Sequence, residues 1–162
     1  MRYILMFSVL ILLGACENQT ADNHQLHVQI DSLQKKLNDT YKPGLGEFML
    51  GIQLHHAKLW FAGINKNWRL ADFEIKEIGE SLDDIKKYCT DRPEVKSIGL
   101  IDPSIDAISA AIQKKDISAF KTGFITLTNN CNSCHKTTQH EFNVVVVPTG
   151  LPVTNQDFSP GK

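Results

Sequence analysis

Hydrophobic positions recur along this chain at helical spacing, with short polar breaks between the stripes. Leu26, Ile30, Leu33 and Leu37 follow one another at 4-3-4 intervals with Asp and Lys among them, which predicts one amphipathic helix of about four turns. Pro43-Gly44-Leu45-Gly46 ends it. The polar stretch from Glu17 to Gln25 ahead of it is expected to be a flexible tether.

Beyond the break the pattern predicts four further helices. The first runs from about Gly46 to Ala62 and places Leu45, Met49, Ile52, His56, Leu59, Trp60 and Gly63 on one stripe. Gly63 is expected to close it as a C-terminal cap. The second, capped by Asn65 or Asn67, continues to about Tyr88 along the seam Ala71, Ile75, Ile78, Leu82, Ile85 and Cys89. Cys89 is thus expected to be a small core residue. Thr90 to Ile101 is expected as a loop. Asp102-Pro103 opens the third helix, to about Lys115, with Ile105, Ile108, Ala111 and Ile112 inward. Asp116 caps the fourth, on which Ile117, Phe120, Phe124, Thr128, Cys131 and His135 share a face. After Thr138 the β-branched run Phe142 to Val147 and the prolines at 148, 152 and 160 forbid a long helix. An extended strap laid over the helices is expected there.

The expected fold is therefore all-α. A four-helix up-down-up-down bundle occupies residues 44–140, an N-terminal amphipathic helix precedes it within 16–43, and an extended tail covers 141–162. With 42% hydrophobic and 22% charged residues in 162, the chain can bury an ordinary core. Its 17 Lys+Arg against 18 Asp+Glu give no basic excess, so nucleic acid is not an expected partner.

Two features carry the chemistry. Arg2 followed by the apolar run Tyr3 to Leu13 reads as a secretory leader over residues 1–15, too short to span a membrane. Cys131-Asn132-Ser133-Cys134-His135 is the attachment signature of a c-type haem. Two thiols at that spacing can both bond one porphyrin edge, and the histidine that follows lies under the iron as its proximal ligand. A C-x-x-C alone could also be a redox dithiol or half of a zinc site. No second C-x-x-C is present, no βαβ pattern surrounds the run, and an exported chain suits extracytoplasmic haem attachment. One covalent haem c is therefore the expected cofactor, on Cys131 and Cys134.

Leu13-Gly14-Ala15-Cys16 resembles the lipobox of bacterial lipoproteins. That resemblance implies lipidation of Cys16 as the first mature residue and a firm membrane anchor through its acyl chains. Glu17 after it resembles the sorting signal of outer-membrane lipoproteins. Four helices with C-x-x-C-H late in the last resemble the cytochrome c′ and cytochrome b562 architecture over about Gly46 to Thr138. The run His-His-Ala-Lys-Leu-Trp-Phe-Ala-Gly, residues 55 to 63, is similar to a group of small bacterial cytochromes with an extended tail. Members of the c′ family carry little chain after the haem histidine, and here the chain runs on from Lys136 to Lys162. They also leave the distal iron position apolar and empty.

In such a bundle the first and last helices are antiparallel neighbours, so a distal ligand is expected from the first. His56 lies near the centre of its apolar stripe and is the first choice; His55, on the shoulder, and Met49 are the alternatives. His56 lies about 10 Å deeper along the helix than Met49, which favours Met49 for an iron near the end of the last helix. Trp60 could pack on the porphyrin, though an aromatic there is core by default. His24, His27 and His140 read as solvated.

The expected function is single-electron transfer outside the cytoplasm by a membrane-tethered mono-haem cytochrome, with unidentified redox proteins as partners. The alternative is a five-coordinate module that binds NO or CO. An enzyme is not expected: no second haem motif and no obvious distal acid–base pair are present.

Overall fold

The computed structural model describes residues 15–38, 40 and 42–161. The expected leader up to Gly14 and the side chain of Cys16 lie outside the described residues. Among these, all regular structure is helical: α1 (Ala15–Asn38), α2 (Leu45–Ile64), α3 (Trp68–Tyr88), α4 (Asp102–Gln113) and α5 (Ile117–Thr137), with a 3-10 segment over Pro93–Leu100 between α3 and α4. No described helix is long and apolar enough to cross a membrane.

The chain divides into two compact units, Met1–Lys42 and Pro43–Lys162. In the first, α1 begins at Ala15, so the polar stretch expected as a flexible tether is helical instead. Leu26, Ile30, Leu33 and Leu37 lie exposed along it.

In the second unit α2 packs on α3, α3 on α4, α4 on α5, and α5 back on α2. Its core is built from the expected stripes, Ile52 and Leu59 of α2, Ile75, Ile78, Leu82 and Ile85 of α3, Ile108 and Ile112 of α4, Phe120 and Phe124 of α5, and from Leu127 of α5, which was not on the expected face. Trp60 joins Phe120 and Phe124 at ring separations of 6.5 and 4.9 Å, inside this aromatic core. Ile98, fully buried, and Ile101 come from the segment expected as a plain loop. Cys89 is buried in the same core.

Two helix starts follow side-chain chemistry, whereas α4 begins at Asp102 itself with no side-chain cap bond, so Asp102 is not the N-cap the Asp-Pro pair suggested. Asn67 accepts a hydrogen bond from the Leu70 N–H (3.2 Å), and Asp116 accepts from Ser118 and Ala119 (2.9 and 3.0 Å). Helix ends do not follow glycine. α2 runs through Gly63 to Ile64, and the left-handed residue that ends it is Lys66, φ 61°. Lys115 (φ 54°) ends α4 and Gln139 (φ 63°) ends α5 in the same way. At each, the N–H two residues beyond the cap returns to a carbonyl in the last turn: Asn67 to Ala62, Asp116 to Ala111, and His140 to His135 (2.9, 3.0 and 2.7 Å).

Gly63 has a different task. A Cβ there would overlap the ring of Phe120, so the absent side chain lets α5 approach α2 closely. The tail after α5 carries no regular structure. It buries Phe158 against Phe61 at 5.8 Å between ring centroids and is tied by Asn67, whose amide donates to the Ser159 carbonyl (2.7 Å).

Candidate functional site

The C-x-x-C-H run occupies the last two turns of α5, and its side chains meet α2 and the returning tail. One cavity of about 290 Å³ is lined by Met49, Ile52 and His56 of α2, by Cys131, Cys134 and His135 of α5, and by Asn143 and Val145 of the tail, among others. A second, of about 370 Å³, shares Met49, Cys134, His135 and Asn143 with it and adds Arg92, Glu94 and His140. Volumes on this scale are those of cofactor and ligand clefts. Three residues of the attachment motif and two of the three histidine or methionine ligand choices thus line one cleft.

His55 is not in it. Its Nδ1 lies 2.6 Å from Glu74 Oε2, on the side of α2 that faces α3. Glu74 is fully buried, with Lys58 Nζ 3.8 Å from its other oxygen, Oε1, which has no hydrogen-bond partner. Lys58 therefore lies beside a buried carboxyl group. Trp60 does not line either cavity.

The two histidines in the cleft have opposite tautomers, and their partners set both. His135 Nδ1 lies 2.6 Å from the Asn143 carbonyl oxygen. A carbonyl can only accept, so Nδ1 carries a proton, and in the neutral ring Nε2 then holds the free lone pair. His56 Nε2 lies 2.9 Å from Thr128 Oγ1. The Thr128 hydroxyl gives its one hydrogen to the Phe124 carbonyl (2.9 Å), so His56 Nε2 donates to it. His56 is 3% exposed and stacks on Phe124 at 4.4 Å. Burial pushes its pKa down to about 4, so it is neutral at pH 7.

Met49 has no such commitment. It lies half-buried one turn into α2 and lines both cavities with His135.

The thiols are free. Burial first, then the neighbouring Cys134, pushes Cys131 up to about 11, and burial also raises Cys134. A redox-active dithiol needs the reverse, a thiolate stabilised near neutral pH. Among the described residues no three His, Cys, Asp or Glu side chains converge so as to hold a metal ion. A structural zinc needs four such ligands, whereas a haem iron takes one or two from the protein. The donor set present (two thiols and an imidazole with Nε2 free, facing a methionine across a largely apolar cleft) fits covalent haem.

Asn132, Asn143 and Val145 were not legible as parts of this site. Asn132 donates to the Val145 carbonyl and accepts from the Val145 N–H, both at 2.8 Å. The unusual valine run after Phe142 was the one signal that something packs here.

Compared with known proteins, the chain matches no family model, no curated relative and no solved structure.

Proposed function

We propose that this protein is a mono-haem c-type cytochrome that passes single electrons outside the cytoplasm, held at a membrane by lipid on Cys16. The observation that carries the reading is the meeting of Cys131, Cys134, His135 and Met49 around one cleft, with Nδ1 of His135 tied to the Asn143 carbonyl. We further infer an up-down-up-down four-helix bundle over the second unit, supported by the closed ring of contacts among α2, α3, α4 and α5.

Haem c, held here, supplies a one-electron iron centre. Cys131 and Cys134 would carry its two thioether bonds, and His135 Nε2 would be the proximal ligand. For the distal position two residues compete. His56 would have to give up its Thr128 bond to present Nε2, leaving a buried hydroxyl without its donor. Met49 gives up no hydrogen bond. Met49 is therefore our preferred distal ligand, and His56 a core histidine that joins α2 to α5. A thioether ligand raises the potential relative to two imidazoles. The apolar residues of the cleft, Ile52, Leu82 and Ile101 among them, would keep water from a haem iron held here and would lower the rearrangement that accompanies a change of its charge.

The spectrum of the ferrous protein with and without CO tests this. Low-spin bands unmoved by CO are expected, with conversion to a high-spin, CO-responsive form in Met49→Leu. High-spin bands that shift with CO in the unmodified protein would favour the five-coordinate gas-binding alternative.

A further inference from the structure

Within the attachment motif, the residue between the thiols closest to Cys131 does something the haem chemistry does not require. Asn132 pairs with the backbone of Val145 through both ends of its amide, Nδ2 to the carbonyl and Oδ1 from the N–H, each at 2.8 Å. This copies the two-bond exchange between paired residues of a β-ladder. Only a carboxamide can donate and accept side by side in one plane in this way.

The register extends the pairing. Asn132 and His135 are three apart on a helix, hence on one face, about 5–6 Å between Cβ atoms. Asn143 and Val145 are two apart on the returning tail, which at extended spacing is about 6.6 Å, and the carbonyls of both meet α5. The two repeats nearly match. When Asn132 holds Val145, the Asn143 carbonyl falls on Nδ1 of His135, at 2.6 Å. The turn that brings the tail back is tied at its start, where the His140 N–H returns to the His135 carbonyl (2.7 Å), and again where Asn143 N–H meets the His140 carbonyl (2.9 Å).

We propose that Asn132 is a positioning residue: by clasping Val145 it holds the Asn143 carbonyl on His135, so that the C-terminal tail sets the orientation and proton position of the proximal imidazole. The inference rests on the haem reading of Cys131 to His135. A ring whose Nδ1–H is bonded to a carbonyl is a stronger donor through Nε2. A stronger donor stabilises the ferric iron, so the clasp lowers the midpoint potential.

The test uses the haem-loaded, full-length protein with three variants. Asn132→Leu removes both halves of the clasp, and Asn132→Asp keeps the acceptor and loses the donor. Val145→Pro removes the N–H from the tail side and leaves the attachment motif unaltered, so it serves if the helix variants fail to fold. Hydrogen exchange at Val145 and the residues flanking it reports the clasp, the alkaline pyridine spectrum reports covalent haem, and a redox titration reports the potential. In Asn132→Leu the Val145 amide is expected to exchange at least about tenfold faster, in line with the loss of one or two net hydrogen bonds. The potential is expected to rise in Asn132→Leu and Val145→Pro, and by less in Asn132→Asp. Haem attached, exchange accelerated and potential unchanged would overturn the positioning role while leaving the haem site intact. Absence of haem from the unmodified protein would overturn the underlying reading itself.

Discussion

His56 and Thr128, 72 positions apart, meet through a 2.9 Å hydrogen bond in the buried seam between α2 and α5. The imidazole donates and the hydroxyl passes its own hydrogen to the Phe124 carbonyl. Thr128→Val keeps the shape and removes the acceptor. A buried N–H left without a partner costs about 1–3 kcal/mol, which urea unfolding should record as a lower midpoint at unchanged slope. Covalent haem should survive the change.

The same pair gives a pH dependence. The His56 pKa falls from 6.5 in the unfolded chain to about 4 in the folded one through burial. The unfolded chain therefore takes up the proton first as pH falls. The contribution of neutral His56 is fully present above about 6.5, declines between there and about 4, and is gone below, a change of order 3 kcal/mol at most. His56→Gln can still donate to Thr128 and does not titrate. Unfolding free energies measured from neutral pH down to about pH 4 should show a shallower loss in that variant.

His55, next to it, belongs to a different set of contacts. Its bond to the fully buried Glu74 makes His55→Ala a stability mutation. Leaving a buried polar group without its hydrogen-bond partner costs about 1–3 kcal/mol, while the ferrous spectrum should not move. A spectral change without a stability change would return His55 to the iron.

Close approach of two helices decides the third case. Gly63→Ala should be poorly tolerated, because the new methyl group meets the Phe120 ring, and overpacking of this kind costs about 1–3 kcal/mol. Adding Phe120→Leu should recover part of the loss, and a double-mutant cycle by urea unfolding measures the coupling. At the helix ends the opposite change is expected. Lys66 and Lys115 hold left-handed backbone that glycine adopts without strain, so Lys115→Gly should raise stability by up to about 1 kcal/mol, read as a higher thermal midpoint.

These residues also mark what was legible in the chain. The seam Ala71, Ile75, Ile78, Leu82, Ile85 could be read because each position repeats a local rule of spacing, and burial followed it. The cap at Asp116 is likewise local, an oxygen within reach of the N–H groups two and three residues on. Gly63 was expected as a cap because glycine ends many helices, yet its reason lies in Phe120, far along the chain. Glu74 sits on the shoulder of its seam, where a carboxylate ordinarily meets water; only His55 and Lys58 on another helix make its burial tolerable. The attachment motif announced its thiols and its histidine. An extended tail laid over the helices was expected, but its pairing with Asn132 was not, because the Val145 groups that meet the Asn132 amide are backbone ones, which carry no residue signature.

The most direct measurement on the central claim is the spectrum of the exported, purified protein after denaturation in alkaline pyridine. The account predicts a c-type haemochrome that stays with the polypeptide on a denaturing gel and disappears when Cys131 and Cys134 are both replaced by alanine. A colourless protein with both thiols free would contradict it.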